Sequence, residues 1–172
     1  MYWEEHIELI KKSFTPTEFS IPYTDRVDIL KKIENGFIIK VNSNDHFANW
    51  ADTIKKKIKV TVVDSNDIKT TLMVLSDEVN YWVIIAVGRG PSAKNYVYDC
   101  NLRSLLAMVQ MCMGSSYCSG SFFIVDKKYS WFTYFCVSKE NNSITIYKSG
   151  EFTTPFDTLL DVDRIRPADL GI

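Results

Sequence analysis

Residues that could act in catalysis are few and far apart in this sequence. Nucleophilic catalysis needs a serine or cysteine within hydrogen-bond reach of a base, and the only histidines are His6 and His46. His6 lies on a helix-like segment and His46 follows Asp45, a helix-capping residue, so we expect both imidazoles to be solvated. The spacing of the carboxylates pairs no acid with a base. We therefore predict no catalytic residue and favour a non-catalytic protein over an enzyme.

The four cysteines, Cys100, Cys112, Cys118 and Cys136, include no C-x-x-C pair, and both histidines lie far upstream. The spacing typical of a zinc or redox site is therefore absent. Because Cys100 and Cys136 end apolar strand-like runs and Cys112 lies on a helix-like stretch, we expect buried free thiols. Disulfide pairing is the alternative, since the number of cysteines is even. We predict no metal site and no cofactor.

One glycine-containing segment, Gly88-Arg89-Gly90-Pro91-Ser92, lies between two strand-like runs. A phosphate-binding loop needs further glycines and the start of a helix directly after it. Here a strand follows, and Pro91 lacks the N–H group that would bind an anion. The segment therefore predicts a hairpin turn, with Arg89 at its tip as a candidate for contact with a partner.

The densest cationic segment is Lys55-Lys56-Lys57-Ile58-Lys59. It has no arginine and none of the interleaved aromatic residues that bind single-stranded nucleic acid. We therefore expect these lysines to form a solvated helix end, and we predict no nucleic-acid partner. A nucleic-acid adaptor that uses Lys55–Lys59 is kept as an alternative.

Two aromatic groups, Tyr81-Trp82 and the run from Tyr129 to Phe135, place large rings on both faces of their strands. One face of each strand should belong to the core. The other face is either covered by helices or forms a partner-binding patch, since aromatic residues dominate binding hot spots.

The first part of the chain has helical spacing of its apolar residues. Residues 2–13 predict one helix. A second is capped by Thr24 and ends at Asn35-Gly36, and a third is capped by Asp45. Residues 37–41 read as a short strand between the last two.

From residue 58 the apolar period changes to two, which is typical of strands. The candidate strands are residues 58–63, 69–75, 80–88, 94–100, 122–125, 131–137 and 144–147. Between the strands, residues 101–113 have the pattern of an apolar helix capped by Asn101. Asn141-Asn142 predicts a hairpin turn between the last two strands.

These elements predict an α+β fold, a largely antiparallel sheet with the N-terminal helices and the buried helix of residues 101–113 packed on one face. We expect one domain over residues 1–172. Its parts are a helical portion, 1–57, a sheet-rich portion, 58–150, and a C-terminal strap, 151–172.

Composition supports a globular domain, since hydrophobic residues make up 46% and charged residues 24% of the chain. The net charge of −1 supplies no general attraction to nucleic acid or to an anionic membrane. The acidic start Met1-Tyr-Trp-Glu-Glu-His6 is unlike a signal peptide, and no run is long and apolar enough to span a bilayer. We therefore expect a cytoplasmic protein without a membrane partner.

The stretch from Phe122 to Trp131, followed by the strand 143–147 and Ser149-Gly150, resembles part of a group of small bacterial proteins that are similar to SMI1/KNR4-like immunity proteins. The strand Tyr96–Asp99 and the helix Leu102–Met113 also have counterparts there. The resemblance covers roughly residues 80–150.

In that family a histidine often follows the tryptophan-bearing strand, whereas this chain has Cys136-Val-Ser-Lys-Glu140. The resemblance implies a non-catalytic protein that neutralises a toxin by occupying its active surface.

Our first hypothesis is therefore a protein-binding domain with exposed aromatic and charged residues at its contact surface. The more specific form of this hypothesis is a toxin-immunity protein. The candidate partner-binding residues are Arg89, Lys127, Lys128, Tyr129 and Trp131. An alternative is a small enzyme whose site is assembled from residues distant in sequence, such as Arg89, Asp99 and Tyr134. The sequence predicts neither the identity of the partner nor the oligomeric state.

Overall fold

A computed structural model describes residues 2–23, 26–39, 50–89 and 92–159. Its helices are α1 (Trp3–Ser13), α2 (Arg26–Phe37), α3 (Trp50–Thr53), α4 (Ile68–Leu72) and α5 (Leu102–Gly114). Its strands are β1 (Phe19–Ser20), β2 (Lys57–Asp64), β3 (Tyr81–Val87), β4 (Lys94–Cys100), β5 (Phe122–Asp126), β6 (Phe132–Ser138) and β7 (Ser143–Ser149). Short 3-10 turns cover Ser65–Asp67 and Pro155–Thr158.

The seven strands form one sheet in the order β1-β4-β3-β5-β6-β7-β2, and every neighbouring pair is antiparallel. The prediction of an α+β fold with a largely antiparallel sheet is therefore confirmed. Both edge strands, β1 and β2, come from the first 64 residues of the chain. Helix α5 connects β4 to β5, which lie on opposite sides of β3.

One face of the sheet is covered by α1, α4 and α5. Ile85, Phe122 and Phe135 point to this side and are fully buried together with Leu105 and Met108 of α5. Asn101 caps α5 as the sequence predicts, because its side chain accepts a hydrogen bond from the Ser104 N–H at 3.0 Å.

The opposite face is covered by α2 and α3. Ile84, Phe123 and Phe132 lie in this second core with Leu30 of α2 and Trp50 of α3. The helices therefore lie on both faces of the sheet, and the prediction that they pack on one face is wrong. The reason is visible in β3 and β5, whose apolar residues are consecutive and not alternating, as in strands that are buried on both faces.

Two local predictions differ from the structure. The candidate strand 69–75 is mostly the short helix α4, in which the neighbouring residues Thr71 and Leu72 are both buried. Helix α2 does not end at Asn35-Gly36 but continues to Phe37, whose ring stacks on Phe132 with 5.3 Å between centroids. In both places packing outweighs the local signal.

Several predicted features lie outside the described residues: the caps Thr24 and Asp45, His46, residues 40–41 of the predicted strand 37–41 and the strap beyond residue 159. No helix in the described part of the chain combines the length and the apolar character that crossing a membrane requires.

Candidate functional site

The turn that joins β5 to β6 carries most of the predicted partner-binding residues, and Asp126 fixes its shape. The Asp126 carboxylate accepts hydrogen bonds from the N–H groups of Ser130 at 2.7 Å and Trp131 at 3.0 Å. Tyr129 has a left-handed backbone, with φ at 55°, and donates its N–H to the Asp126 carbonyl at 3.1 Å. The turn is thus a hydrogen-bonded structure that presents its side chains in fixed directions.

Lys127 folds back from this turn onto the sheet. Its ammonium lies 2.8 Å from a carboxylate oxygen of Asp99 on β4 and 2.9 Å from the centre of the Trp82 ring on β3. Asp99 also accepts a hydrogen bond from the Asn80 amide at 2.9 Å. Burial lowers the pKa of Lys127, and the hydrogen bond and negative charge of Asp99 offset part of that change. This cationic group is therefore held in an ion pair.

Tyr129 and Lys128 differ in their exposure. The Tyr129 ring is half-buried against the core beneath α2, and the Lys32 ammonium of α2 lies 5.5 Å from its centre. Burial raises the pKa of the Tyr129 phenol, so it is protonated at neutral pH. The Lys128 side chain is exposed. Of these two residues, Lys128 is the one that extends into solvent.

Trp131 does not have the exposure that the sequence hypothesis assumes. Its side chain is only 8% exposed and belongs to the core on the α5 side of the sheet. The ring lies 6.0 Å from that of Tyr81 and makes an edge contact with Phe156 at 6.2 Å. The expectation of an exposed tryptophan is therefore corrected, because Trp131 points to a face that α5 and the 155–158 turn cover.

An open cleft of about 520 Å³ lies beside the turn. Its lining includes Val79, Asn80, Lys127, Lys128, Trp131 and Pro155. Val79 is half-exposed, so the cleft has an apolar side as well as a cationic one. Such a mixture of apolar and charged groups can contact another protein.

Arg89 is far from this cleft. It is exposed and follows the last residues of β3, whereas Tyr81 at the start of β3 lines the cleft. A strand of seven residues separates the two positions by roughly 20 Å. Lys127, Lys128, Tyr129 and Trp131 thus share one turn, but Tyr129 packs on the α2 side of the sheet and Trp131 on the α5 side. Arg89 lies at the other end of the sheet.

The residues suggested for an enzyme site do not converge. Asp99 pairs with Trp82 near the start of β3, while Arg89 follows its end. Tyr134 lies on β6, two strands from β3, stacked between Phe123 and Tyr147 at 4.7 and 6.0 Å. Burial raises the pKa of Tyr134 and keeps its phenol neutral. These three side chains therefore form no common site.

The lysine run joins α3 to β2. Lys55 donates to the Asn35 carbonyl at 2.6 Å, and Lys57 donates to the Ala51 carbonyl at 2.9 Å. Lys57 also lies over the Tyr147 ring, 4.3 Å from its centre. Two of the four lysines therefore hold the local structure, while Lys56 and Lys59 are exposed.

One pair of contacting thiols was not predicted from the sequence. Cys112 and Cys118 lie with their sulfur atoms 3.1 Å apart, although their spacing fits no common redox motif. All four cysteines are free thiols, and Cys100, Cys112 and Cys118 are buried. The signal in the sequence is the run of small residues from Gly114 to Ser121, which lets the chain turn back onto α5. Across the described ranges, no three His, Cys, Asp or Glu side chains are grouped so as to bind a metal ion.

Comparison with known proteins gave no match for this chain, whether to a family model, to a curated protein or to a solved structure. The resemblance to SMI1/KNR4-like immunity proteins stays a prediction.

Proposed function

We propose that this protein is a non-catalytic protein-binding domain whose contact surface is the turn after β5 and the adjoining cleft. The particular role that its resemblance implies is that of a bacterial toxin-immunity protein. The observation that carries the proposal is that Lys127 is paired with Asp99 and Asp126 accepts hydrogen bonds from its own turn, so that neither group is directed at a reaction centre.

The ion pair between Lys127 and Asp99 supports binding over catalysis. A lysine or carboxylate that reacts directly must face the substrate with a proton to exchange or a lone pair for attack. Lys127 forms an ion pair with Asp99, and Asp126 accepts hydrogen bonds from the N–H groups of its own turn. Both groups stabilise the shape of the surface, which is what a preformed binding site requires.

The chemistry of the cleft fits a protein partner with an acidic and an apolar group side by side. Lys128 supplies an exposed positive charge on one side, and half-exposed Val79 supplies apolar area on the other. A rim charge of this kind steers association, while the apolar side excludes water from the contact. A cytoplasmic location is part of the proposal, because free thiols are typical of a reducing compartment.

The test begins with affinity purification from the native cell and measurement of the recovered partner's stoichiometry, with the product of the neighbouring gene as first candidate. Binding of the purified partner to Lys128→Glu and Val79→Asp is then measured by calorimetry. We expect each substitution to weaken binding by about tenfold or more, because one reverses a rim charge and the other places a carboxylate on the apolar side.

Lys94→Glu is the matched control, since Lys94 is equally exposed but begins β4 near Arg89 at the far end of the sheet. It should change affinity less than about twofold. A partner whose toxic activity is inhibited at one-to-one stoichiometry supports the immunity role. The proposed surface is wrong if Lys94→Glu weakens binding as much as Lys128→Glu does.

A further inference from the structure

The last turn of α5 and the loop after it hold two thiols in contact. Cys112 is fully buried and Cys118 is 6% exposed. Their sulfur atoms are 3.1 Å apart, and the Cys118 thiol lies 2.9 Å from the Cys112 carbonyl, to which it can donate. A disulfide has a sulfur–sulfur distance of about 2.05 Å, so a bond between them needs an approach of about 1 Å.

The loop is fixed on both sides of Cys118. The Gly88 N–H donates to the Tyr117 carbonyl at 2.9 Å, and the Val137 N–H donates to the Ser121 hydroxyl at 3.0 Å. Between these anchors Gly120 has a φ of 87°, a backbone conformation that residues other than glycine rarely adopt. The fold itself therefore keeps Cys118 against Cys112.

We propose that Cys112 and Cys118 are a thiol pair that reacts with low-molecular-weight disulfides, such as oxidised glutathione, to form an intramolecular disulfide. The pair is a redox modification site at the end of α5, on the face of the sheet that α1, α4 and α5 cover. It is independent of the binding function proposed above.

The reaction takes two steps of thiol–disulfide exchange. The Cys118 thiolate attacks one sulfur of the small disulfide, whose sulfur–sulfur bond breaks and releases one thiolate. Cys112 then loses its proton and attacks the Cys118 sulfur of the mixed disulfide, which releases the second thiolate. The two protein thiols are oxidised by two electrons, and the small disulfide leaves as two thiols that carry the two protons.

The groups around the two thiols determine which of them attacks first. A hydrogen bond with Cys112 lowers the pKa of Cys118, and the Gly120 N–H and the Lys139 ammonium act in the same direction, against burial. The hydrogen bond with Cys118, together with burial, raises the pKa of Cys112. Because the thiolate is the nucleophile, Cys118 attacks first and Cys112 resolves the mixed disulfide.

The other two cysteines lack such a partner among the described residues. Cys100 is fully buried on β4, and burial raises the pKa of its thiol. Cys136 packs on the opposite face of the sheet from Cys112 and Cys118. The double variant Cys100→Ser/Cys136→Ser therefore keeps the reactive pair alone.

The experiment treats that double variant with oxidised glutathione, traps remaining thiols with an alkylating reagent and measures the intact mass. We expect the protein to lose the mass of two hydrogen atoms and to carry no alkyl group, because both thiols are then in the disulfide. Chymotrypsin cuts after Tyr117, between the two cysteines, so the fragments should stay joined until a reductant is added. In the reduced protein at neutral pH, Cys118 should be alkylated about tenfold or more faster than Cys112.

Single variants test the order. Cys112→Ala, with its fold checked by circular dichroism, should stop at a mixed disulfide on Cys118, whereas Cys118→Ser should not react. If Cys112→Ala does not fold, the alkylation rates of the unaltered chain decide the order. The proposal is overturned if the folded double variant forms no internal disulfide, or if Cys112 is alkylated first.

Discussion

The indole N–H of Trp3 donates a hydrogen bond to the hydroxyl of Tyr98 at 2.8 Å, which joins α1 to β4 across 95 positions of the sequence. Both side chains are almost completely buried, at 3% and 2% exposure. Phe19 of β1 stacks on the same tyrosine, with 6.0 Å between ring centres. This contact therefore fixes the first helix and the first strand on the sheet that carries the candidate site.

Tyr98→Phe should destabilise the protein by about 1–3 kcal/mol, because it leaves the buried Trp3 N–H without its partner. Urea unfolding followed by circular dichroism measures this change in the free energy of unfolding. In a Trp3→Phe background the same substitution should be neutral or stabilising, since the tyrosine hydroxyl has already lost its donor. An equal cost in both backgrounds would show that the hydrogen bond contributes nothing.

Stability should fall steeply above pH 10. Burial raises the pKa of Tyr98 and Tyr134, whereas tyrosine in the unfolded chain ionises near pH 10. Above that pH the folded state holds more protons than the unfolded state, so each of the two tyrosines costs about 1.4 kcal/mol of stability per pH unit. Burial of Cys100 acts in the same direction from about pH 9.

Urea midpoints between pH 8 and pH 11.5 measure this effect. Tyr98→Phe should lower stability at pH 8 yet make the fall above pH 10 shallower, because one of the ionising groups has been removed. A slope that the substitution leaves unchanged would mean that Tyr98 titrates alike in the folded and unfolded states.

Local signals in the sequence predicted the elements whose structure depends on few neighbours. Asn101 caps α5, and Asn142 adopts the left-handed backbone, with φ at 48°, that the predicted hairpin turn requires. The face on which each helix lies depends on the whole sheet. Consecutive apolar residues, as in β3 and β5, are typical of strands buried on both sides. We nevertheless predicted helices on one face only, because composition does not specify which helix covers which side.

In the candidate site too, local features could be predicted from the sequence, whereas contacts that depend on the whole fold could not. The turn between β5 and β6 was predicted together with its charged residues, but the directions of their side chains were not. Lys127 meets Asp99 only because β3 lies between β4 and β5, an order that the spacing of residues does not encode. The contact between Cys112 and Cys118 likewise depends on a loop that is anchored by Gly88 and Val137.

Trp131 distinguishes a core role from a binding role most directly. Its ring lies between Tyr81 and Phe156, and removal of a buried ring of this size costs about 3–5 kcal/mol. Trp131→Ala should therefore lower the urea midpoint strongly and reduce the near-ultraviolet circular dichroism signal of the packed aromatic residues. Lys128→Ala, three positions earlier in the same turn, is the control, because an exposed side chain should change stability by no more than about 0.5 kcal/mol.

The two substitutions should also separate in a binding measurement. Lys128→Ala should weaken the complex with a purified partner and leave the free energy of unfolding unchanged. Trp131→Phe keeps an aromatic ring in the core, so it should change affinity less than Lys128→Ala does and cost less stability than Trp131→Ala. The opposite pattern, a Trp131→Ala protein with the stability of the parent and weakened binding, would place this tryptophan at the surface in solution. The contact surface would then include the face of the sheet that Phe156 covers.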